Sequence, residues 1–381
     1  MTVRPRGLDL LVIQPTALCN LDCRYCYVPD RQNPERLPFP LLEKLLLAVR
    51  TSNLAREQSS LKILWHAGEP LAAGIDFFRQ AFELTERLIG DRWQIRHAIQ
   101  TNATLITDAW CELFQAHHVK LGVSLDGPED VHDANRKTRG GGGSFHRVMR
   151  GIERLRAHEI PFGTLSVLTA ESIERPDDMF HFFQRNAFRR VAFNVEEIEG
   201  PNLQSSLLPV FGGVASARER YGAFMRRFVE LNRDHGWPLI VREFMHLARL
   251  IQQQRADPTH VPVAPERRFG GILTVARDGA VSSWSPELAS SVPGVPHRFA
   301  LGNIRNVDSV DELLVTERAR TVQEEIDRGI DLCRESCEYF GVCGGGSPGN
   351  KFYERGTFAT AETLKCALQT KELVEVMLVT R

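Results

Sequence analysis

Cys19, Cys23 and Cys26 lie in the run Leu18-Cys19-Asn20-Leu21-Asp22-Cys23-Arg24-Tyr25-Cys26-Tyr27, a C-x3-C-x2-C spacing that directly follows an apolar, strand-like stretch. Three thiolates are one short of the four that close an iron–sulfur cubane, so one iron of a [4Fe-4S] cluster held here would keep an open position. An open iron can bind and reduce a small molecule, whereas a fully ligated cluster only passes electrons. The competing reading is zinc, but structural zinc sites are closed tetrahedra and no fourth ligand stands nearby in the sequence. Four more cysteines, Cys333, Cys337, Cys343 and Cys366, follow C-x3-C-x5-C with the last one farther on. Four ligands saturate a cubane, which would make this group an electron relay; C-x3-C also suits zinc, which remains the alternative there. Cys111 stands alone in Asp108-Ala109-Trp110-Cys111-Glu112-Leu113-Phe114 and reads as a small buried hydrophobe.

These residues need a scaffold, and 381 residues allow two or three domains with a large core. Hydrophobic residues make up 43% and charged residues 25%, ordinary for a soluble globular chain. A formal net charge of -1 gives no electrostatic reason to expect nucleic acid or an anionic membrane as partner. The first apolar run is soon broken by Pro15, so neither a secretory signal nor a membrane span is expected, and the expected location is cytoplasmic. In that reducing compartment, clustered cysteines read as metal ligands rather than disulfides.

Strand patterns at Leu8–Gln14, Leu61–His66, Gln94–Gln100, Lys120–Ser124, Phe162–Thr169 and Arg190–Val195 alternate with helical patterns at Pro40–Arg50, Ile75–Ile89, Ala109–His117, Ser144–His158 and Pro176–Asn186. This α/β rhythm predicts a parallel sheet closing partway into a TIM-like (β/α)6 barrel over residues 1–200. Chemistry on such barrels collects at the C-terminal strand ends, where the three-cysteine loop lies. Residues 201–300 read as a bridging region, with helices at Ala215–Asp234 and Val241–Gln254 and a hairpin of Ile272–Val275 and Ala280–Trp284 turned at Arg277-Asp278-Gly279. Residues 301–381 carry a helix at Val310–Asp327, the four late cysteines and a closing helix at Ala361–Leu378.

The three-cysteine run resembles the signature of radical S-adenosylmethionine (SAM) enzymes, and the barrel rhythm agrees with it. The resemblance implies that the open iron chelates SAM and that SAM is cleaved to a 5′-deoxyadenosyl radical that abstracts hydrogen. It carries further contacts onto matching positions. Ala67, Gly68 and Glu69, in Trp65-His66-Ala67-Gly68-Glu69-Pro70, match the motif that receives the SAM amino group; family members usually have glycine where Ala67 stands, and alanine is expected to fit a strand end at small loss. Ser124 matches a ribose contact, Arg136 a carboxylate partner whose planar fork suits that ligand, and Tyr25 an adenine contact through its backbone. Glu197 corresponds to a further adenine or ribose contact.

The late cysteines resemble the SPASM (or twitch-like) auxiliary domain of radical SAM enzymes that modify peptides and proteins. A full SPASM domain holds two auxiliary clusters on seven cysteines. Here Ser283-Trp284-Ser285-Pro286-Glu287 occupies the hairpin position and Ser347 the slot four residues beyond Cys343, so one auxiliary [4Fe-4S] cluster is expected. Together with Ile13-Gln14-Pro15-Thr16, Gln100-Thr101-Asn102 and Asn194-Val195-Glu196-Glu197, the chain is similar to the cyclophane-forming peptide maturases of the glycine-rich-repeat type.

That resemblance implies a carbon–carbon crosslink in a ribosomally made precursor peptide, with a flavodoxin- or ferredoxin-like electron donor. Joining a carbon radical to an aromatic ring requires loss of one proton and one electron, and Glu196, Glu197 and Glu287 are the candidate proton acceptors. Tyr27, His66, Gln100 and Asn102 are expected near the pocket, with His66 in a structural role. So few residues precede the first strand that no winged leader-binding domain is expected, and the precursor would dock on the barrel or C-terminal region by strand addition. Two alternatives stand: a formylglycine-forming maturase of sulfatases, in whose relatives an Asp serves as base where Ser285 stands, and a non-catalytic iron–sulfur or zinc protein.

Overall fold

The computed structural model describes residues 7–289 and 298–379. Strand β1 (Leu10–Ile13) runs into the three-cysteine loop, which carries the short β2 (Leu21–Cys23) before α1 (Phe39–Thr51). There follow β3 (Ser60–Trp65), α2 (Ile75–Ile89), β4 (Gln94–Thr101), α3 (Asp108–Ala116) and β5 (Lys120–Ser124). Next come α4 (Glu129–Asn135), β6 (Arg136–Thr138), α5 (Phe145–Ala157), β7 (Phe162–Leu168), α6 (Pro176–Arg185) and β8 (Arg190–Val195). Strands β1, β3, β4, β5, β7 and β8 pair in parallel in that order, which is the expected partial (β/α)6 arrangement. Helix α2 shows why the layers adhere: Phe77, Phe78, Ala81, Phe82 and Ile89 recur on one face and are buried. Trp65 on β3 packs edge-on against Phe78 at 5.2 Å. Cys111 is wholly buried in that core.

Helices α7 (Leu207–Phe211), α8 (Val214–Asp234) and α9 (Arg242–Ala256), with the two-residue β9 (Ile240–Val241), lead to the hairpin of β10 (Ile272–Val275) and β11 (Ala280–Ser283). The hairpin turns as expected, with Gly279 at φ 86°. Its placement has no local signal in the chain: β10 pairs in parallel with β1, so the hairpin extends the barrel sheet. With β12 (Gly302–Asn303) the sheet has, among the described residues, ten strands in the order β12-β11-β10-β1-β3-β4-β5-β7-β8-β9. Both edges are strands of only two residues, Ile240–Val241 and Gly302–Asn303, which leaves little ladder for strand addition.

The expected helix over Val310–Asp327 is two helices, α10 (Asp311–Leu314) and α11 (Glu317–Ser336). Thr316 separates them because its hydroxyl accepts the Ala319 N–H and caps the second helix. Helix α11 runs on to Ser336, which puts Cys333 in its last turn. Helix α12 (Phe340–Cys343) ends on Gly344, Gly345 and Gly346, all at positive φ; a Cβ on Gly344 would come within 2.2 Å of the Pro262 carbonyl oxygen. Helix α13 (Pro348–Arg355) follows, then α14 (Leu364–Cys366), a π-helical stretch (Ala367–Glu372) and α15 (Leu373–Val379). The closing helix thus starts three residues later than expected, at Leu364, after the Thr363 hydroxyl caps it. Among the described residues, no helix is long and apolar enough to cross a membrane.

Candidate active site

The three-cysteine loop is tied down by a small second sheet in which β2 pairs antiparallel with β6, and Cys23 lies opposite Arg136. The Arg136 Nε sits 3.0 Å from Asp126 Oδ1, in an ion pair with both side chains buried. Its Nη1 reaches to 4.0 Å from the Cys23 sulfur, and its guanidinium lies over the Tyr25 ring at 5.4 Å from the centroid. The Tyr25 hydroxyl donates to the other oxygen of Asp126. Asp126 therefore organises two expected cofactor contacts, a role with no sequence signal beyond its place after a strand.

Burial pushes the Cys19 thiol up to about 12 and the Cys23 thiol to about 11. Such thiols stay protonated at neutral pH, so a metal bound here would have to displace their protons. Among the described residues, no three histidine, cysteine or acidic side chains are grouped to hold one metal ion. A cubane spreads its thiolates over four irons, so the three-cysteine loop fits it better than it fits a single zinc at about 2.3 Å from each sulfur.

Ala67 and Gly68 follow β3 at φ 73° and 63°. The expectation that alanine fits an ordinary strand end is corrected here: Ala67 is left-handed, a conformation its Cβ disfavours by about 1–2 kcal/mol. Glu69 is buried and committed to the scaffold: it accepts from Leu71 N at 3.0 Å, Thr101 Oγ1 at 2.7 Å and Asn102 N at 2.7 Å. Burial outweighs those donors and raises its carboxyl to about 7. Ser124, at the end of β5, accepts from Gln100 Nε2 at 3.0 Å. Asn102 donates to Asn20 Oδ1 at 2.9 Å and lies 3.9 Å from the Cys19 sulfur. His66 shares a 2.8 Å hydrogen bond with the Tyr27 hydroxyl, and burial lowers its pKa to about 4, so it is neutral. Tyr27, His66 and Ala67 line one cavity of about 280 Å3 together with Gln14 and Thr274.

The late cysteines converge. Cys333, Cys337, Cys343 and Cys366 line a single cavity of about 110 Å3, closed in part by Gly345 and Gly346. The Gly346 N–H points at the Cys343 sulfur from 3.2 Å, and Lys351 Nζ at the Cys333 sulfur from 3.5 Å. Four thiols, inward-facing donors and a compact space fit an iron–sulfur cluster.

Between the two cysteine groups lies a buried acidic cluster. Glu197 is 3.0 Å from Lys365 Nζ, and Asn350 Nδ2 bridges Glu197 at 2.7 Å and Glu199 at 3.2 Å. The ammonium holds Glu197 ionised against the cost of burial, its pKa lying below the ordinary value, while burial and the Glu197 charge drive the Glu199 carboxyl well above it. Glu287 is raised to about 7, burial first and the Glu266 charge second. Glu199 was not among the residues expected from sequence; its only cue is the i+2 spacing from Glu197 beyond the strand. Glu196 turns away from this group, and its carboxylate accepts from the backbone N–H and the hydroxyl of Ser206.

Residues 13–183 match the family model of the Radical SAM superfamily. The chain belongs to the radical SAM superfamily. It is accordingly an enzyme that uses SAM with a [4Fe-4S] cluster. An uncharacterized protein of Synechocystis sp. is 40% identical over 376 residues, covering 97% of this chain and 91% of that one. A serine-type anaerobic sulfatase-maturating enzyme of Bacteroides thetaiotaomicron is 28% identical over 364 residues, covering 91% and 84%. Among solved structures, native anSMEcpe with bound AdoMet and a Cp18Cys peptide superposes with a TM-score of 0.74 at 22% identity, covering 97% of this chain and 96% of that one. SuiB of Streptococcus suis, bound to its precursor peptide SuiA, gives 0.60 at 16% identity, covering 94% and 76%. At those identities the superpositions establish this radical SAM enzyme's fold.

Proposed function

We propose that this radical SAM enzyme modifies a ribosomally made precursor peptide, joining an aromatic ring to the Cβ of a nearby residue in a cyclophane. The observation that carries the reading is the acidic cluster between the cysteine groups. Glu199 and Glu287 stand beside Tyr27, next to Cys26, while Glu197 pairs with Lys365, next to Cys366. Closing a bond onto an aromatic ring requires removal of one proton and one electron; in this reading Glu287 takes the proton, and the two cysteine groups on either side carry the electrons.

In this reading Cys19, Cys23 and Cys26 hold the SAM cluster, and Cys333, Cys337, Cys343 and Cys366 hold one auxiliary cluster. Residues 1–200 form the radical-generating barrel, 201–300 bridge, and 301–381 form the auxiliary domain. When bound, SAM and its cluster supply hydrogen-atom abstraction, the auxiliary cluster supplies a place for one electron, and a flavodoxin- or ferredoxin-like donor starts the cycle. Arg136, braced by Asp126, presents its fork to the SAM carboxylate, with Tyr25, Ala67, Gly68, Glu69 and Ser124 around the remaining groups. Glu287, with its pKa near working pH, takes the ring proton, while Lys365 keeps Glu197 ionised and Asn350 ties Glu197 to Glu199.

Anaerobic, reduced protein incubated with SAM and an aromatic-rich precursor peptide tests this. The expected product has lost two hydrogens per crosslink, and its fragments stay joined after proteolysis between the two residues. A second reading, formylglycine formation, draws on the relation to the sulfatase-maturating enzyme. Its product carries an aldehyde that reacts with a hydrazide and holds no fragments together, an outcome that would replace the crosslinking proposal.

A further inference from the structure

Two cations lie inside the protein beside the four late cysteines. Lys351 is 3% exposed; its ammonium donates to the Gly329 carbonyl at 2.7 Å and points at the Cys333 sulfur from 3.5 Å. Arg267 is 5% exposed. A Cβ on Gly344, the residue after Cys343, would come within 2.5 Å of Arg267 Nη1, so the guanidinium lies against that turn. Its Nη2 donates to the Pro262 carbonyl at 2.7 Å, and among the described residues its Nε has no partner. Among the described residues, neither cation has a carboxylate in ion-pair contact. The other lysines of this neighbourhood are neutralised, Lys365 by Glu197 at 3.0 Å and Lys371 by Glu362 at 2.9 Å.

Buried charges are paired or bound to metals because an isolated one is costly to remove from water. With a cluster bound, the facing anion would be the thiolate set of Cys333, Cys337, Cys343 and Cys366. A [4Fe-4S] core in its oxidised state carries two positive charges, so with four thiolates the whole unit is doubly negative. Two buried cations match that charge. Adding one electron makes the unit triply negative, and fixed positive charge in a low-dielectric surrounding favours that state most.

We infer that Lys351 and Arg267 are the charge partners of the auxiliary cluster and raise its reduction potential, which makes it an electron acceptor. In the proposed crosslinking, the cyclised peptide radical would be oxidised by one electron, the cluster reduced by one, and the ring proton passed to a carboxylate. The inference rests on the assignment of Cys333, Cys337, Cys343 and Cys366 as cluster ligands, which iron analysis checks separately.

The experiment uses the full chain with Cys19, Cys23 and Cys26 replaced by Ala, so that only the later cluster is loaded and titrated. Iron and labile sulfide are counted, and the cluster is titrated by potentiometry with electron paramagnetic resonance as readout. Lys351→Met is expected to lower the reduced-to-oxidised ratio at fixed poise at least tenfold, about 59 mV for a one-electron couple. Lys351→Arg restores the parent value because it restores the charge. Should Lys351→Met not load, Arg267→Met carries the same expectation. Unchanged potential in a loaded variant overturns the inference and leaves the ligand assignment standing. Zinc, or no metal at all, in the parent protein overturns both.

Discussion

Ala67 and Gly68 are neighbours with nearly the same backbone conformation, φ 73° and 63°, yet their substitution should act in opposite directions. Replacing Ala67 with Gly relieves a left-handed alanine, worth about 1–2 kcal/mol, and is offset by about 0.4–1 kcal/mol of added chain entropy in the unfolded state. The net expectation is a stabilisation of roughly 0–1.6 kcal/mol. Replacing Gly68 with Ala imposes that same left-handed strain and adds a steric one. The new Cβ would meet Ala17 O at 2.6 Å and Thr16 O at 2.8 Å, both backbone atoms with no room to give. Overpacking of this kind costs about 1–3 kcal/mol, so the total is about 2–5 kcal/mol. Thr16 and Ala17 lead into Cys19, so the backbone shift reaches the first proposed ligand position. Urea denaturation of anaerobically purified protein measures the first effect, and iron per chain measures the second. Gly68→Ala should unfold earlier and bind less iron, while Ala67→Gly should unfold later and bind as much iron as the parent. A Gly68→Ala protein indistinguishable from the parent in both measurements, or a destabilised Ala67→Gly, refutes the reasoning.

Cys23→Ala should abolish release of 5′-deoxyadenosine from SAM, whereas Cys343→Ala should retain part of it; equal loss in both, followed by chromatography, would undo the proposed division between the two cysteine groups. The Glu287 carboxyl stands at about 7 in the folded state against about 4.5 in an unfolded chain. A raised acid pKa contributes stability that is fully present below pH about 4.5 and is lost as pH rises through about 7, so Glu287→Gln should flatten that part of the denaturation-versus-pH curve. If Glu287 is the proton acceptor, that substitution should also abolish crosslinking while deoxyadenosine release continues. Glu199 is held protonated in the folded state, whereas an unfolded chain ionises it above pH about 4.5, so Glu199→Gln should stabilise the protein at neutral pH and lose that gain below about pH 4.5. Glu197→Gln should cost about 1–2 kcal/mol, between surface and buried ion pairs because the Lys365 side chain is 34% exposed; the denaturation midpoints of the two variants decide it.

Much of the barrel was legible in sequence because its signals are local. Each of the six strands carries its own apolar run, and Lys120–Ser124 and Arg190–Val195 are bounded as the pattern predicts. The turn at Arg277-Asp278-Gly279 was readable for the same reason, since a glycine is needed at positive φ. The break at Thr316 was in principle readable as a capping residue, but the apolar periodicity on both sides masked it. The parallel pairing of Ile272–Val275 with Leu10–Ile13 had no such signal, because it joins segments that no sequence window contains.

The site divides along the same line. The amino-acid sequence alone determined the cofactor chemistry, since the spacing of Cys19, Cys23 and Cys26 sets which ligands one short loop can offer to a cluster. Tertiary structure decided the charges around it: that Asp126 braces Arg136, that Glu199 joins Glu197 and Lys365, and that, among the described residues, Lys351 and Arg267 face the late cysteines without a carboxylate in contact. Burial and apposition across distant segments fix a group's protonation and its partner, and neither quantity exists until the chain has folded.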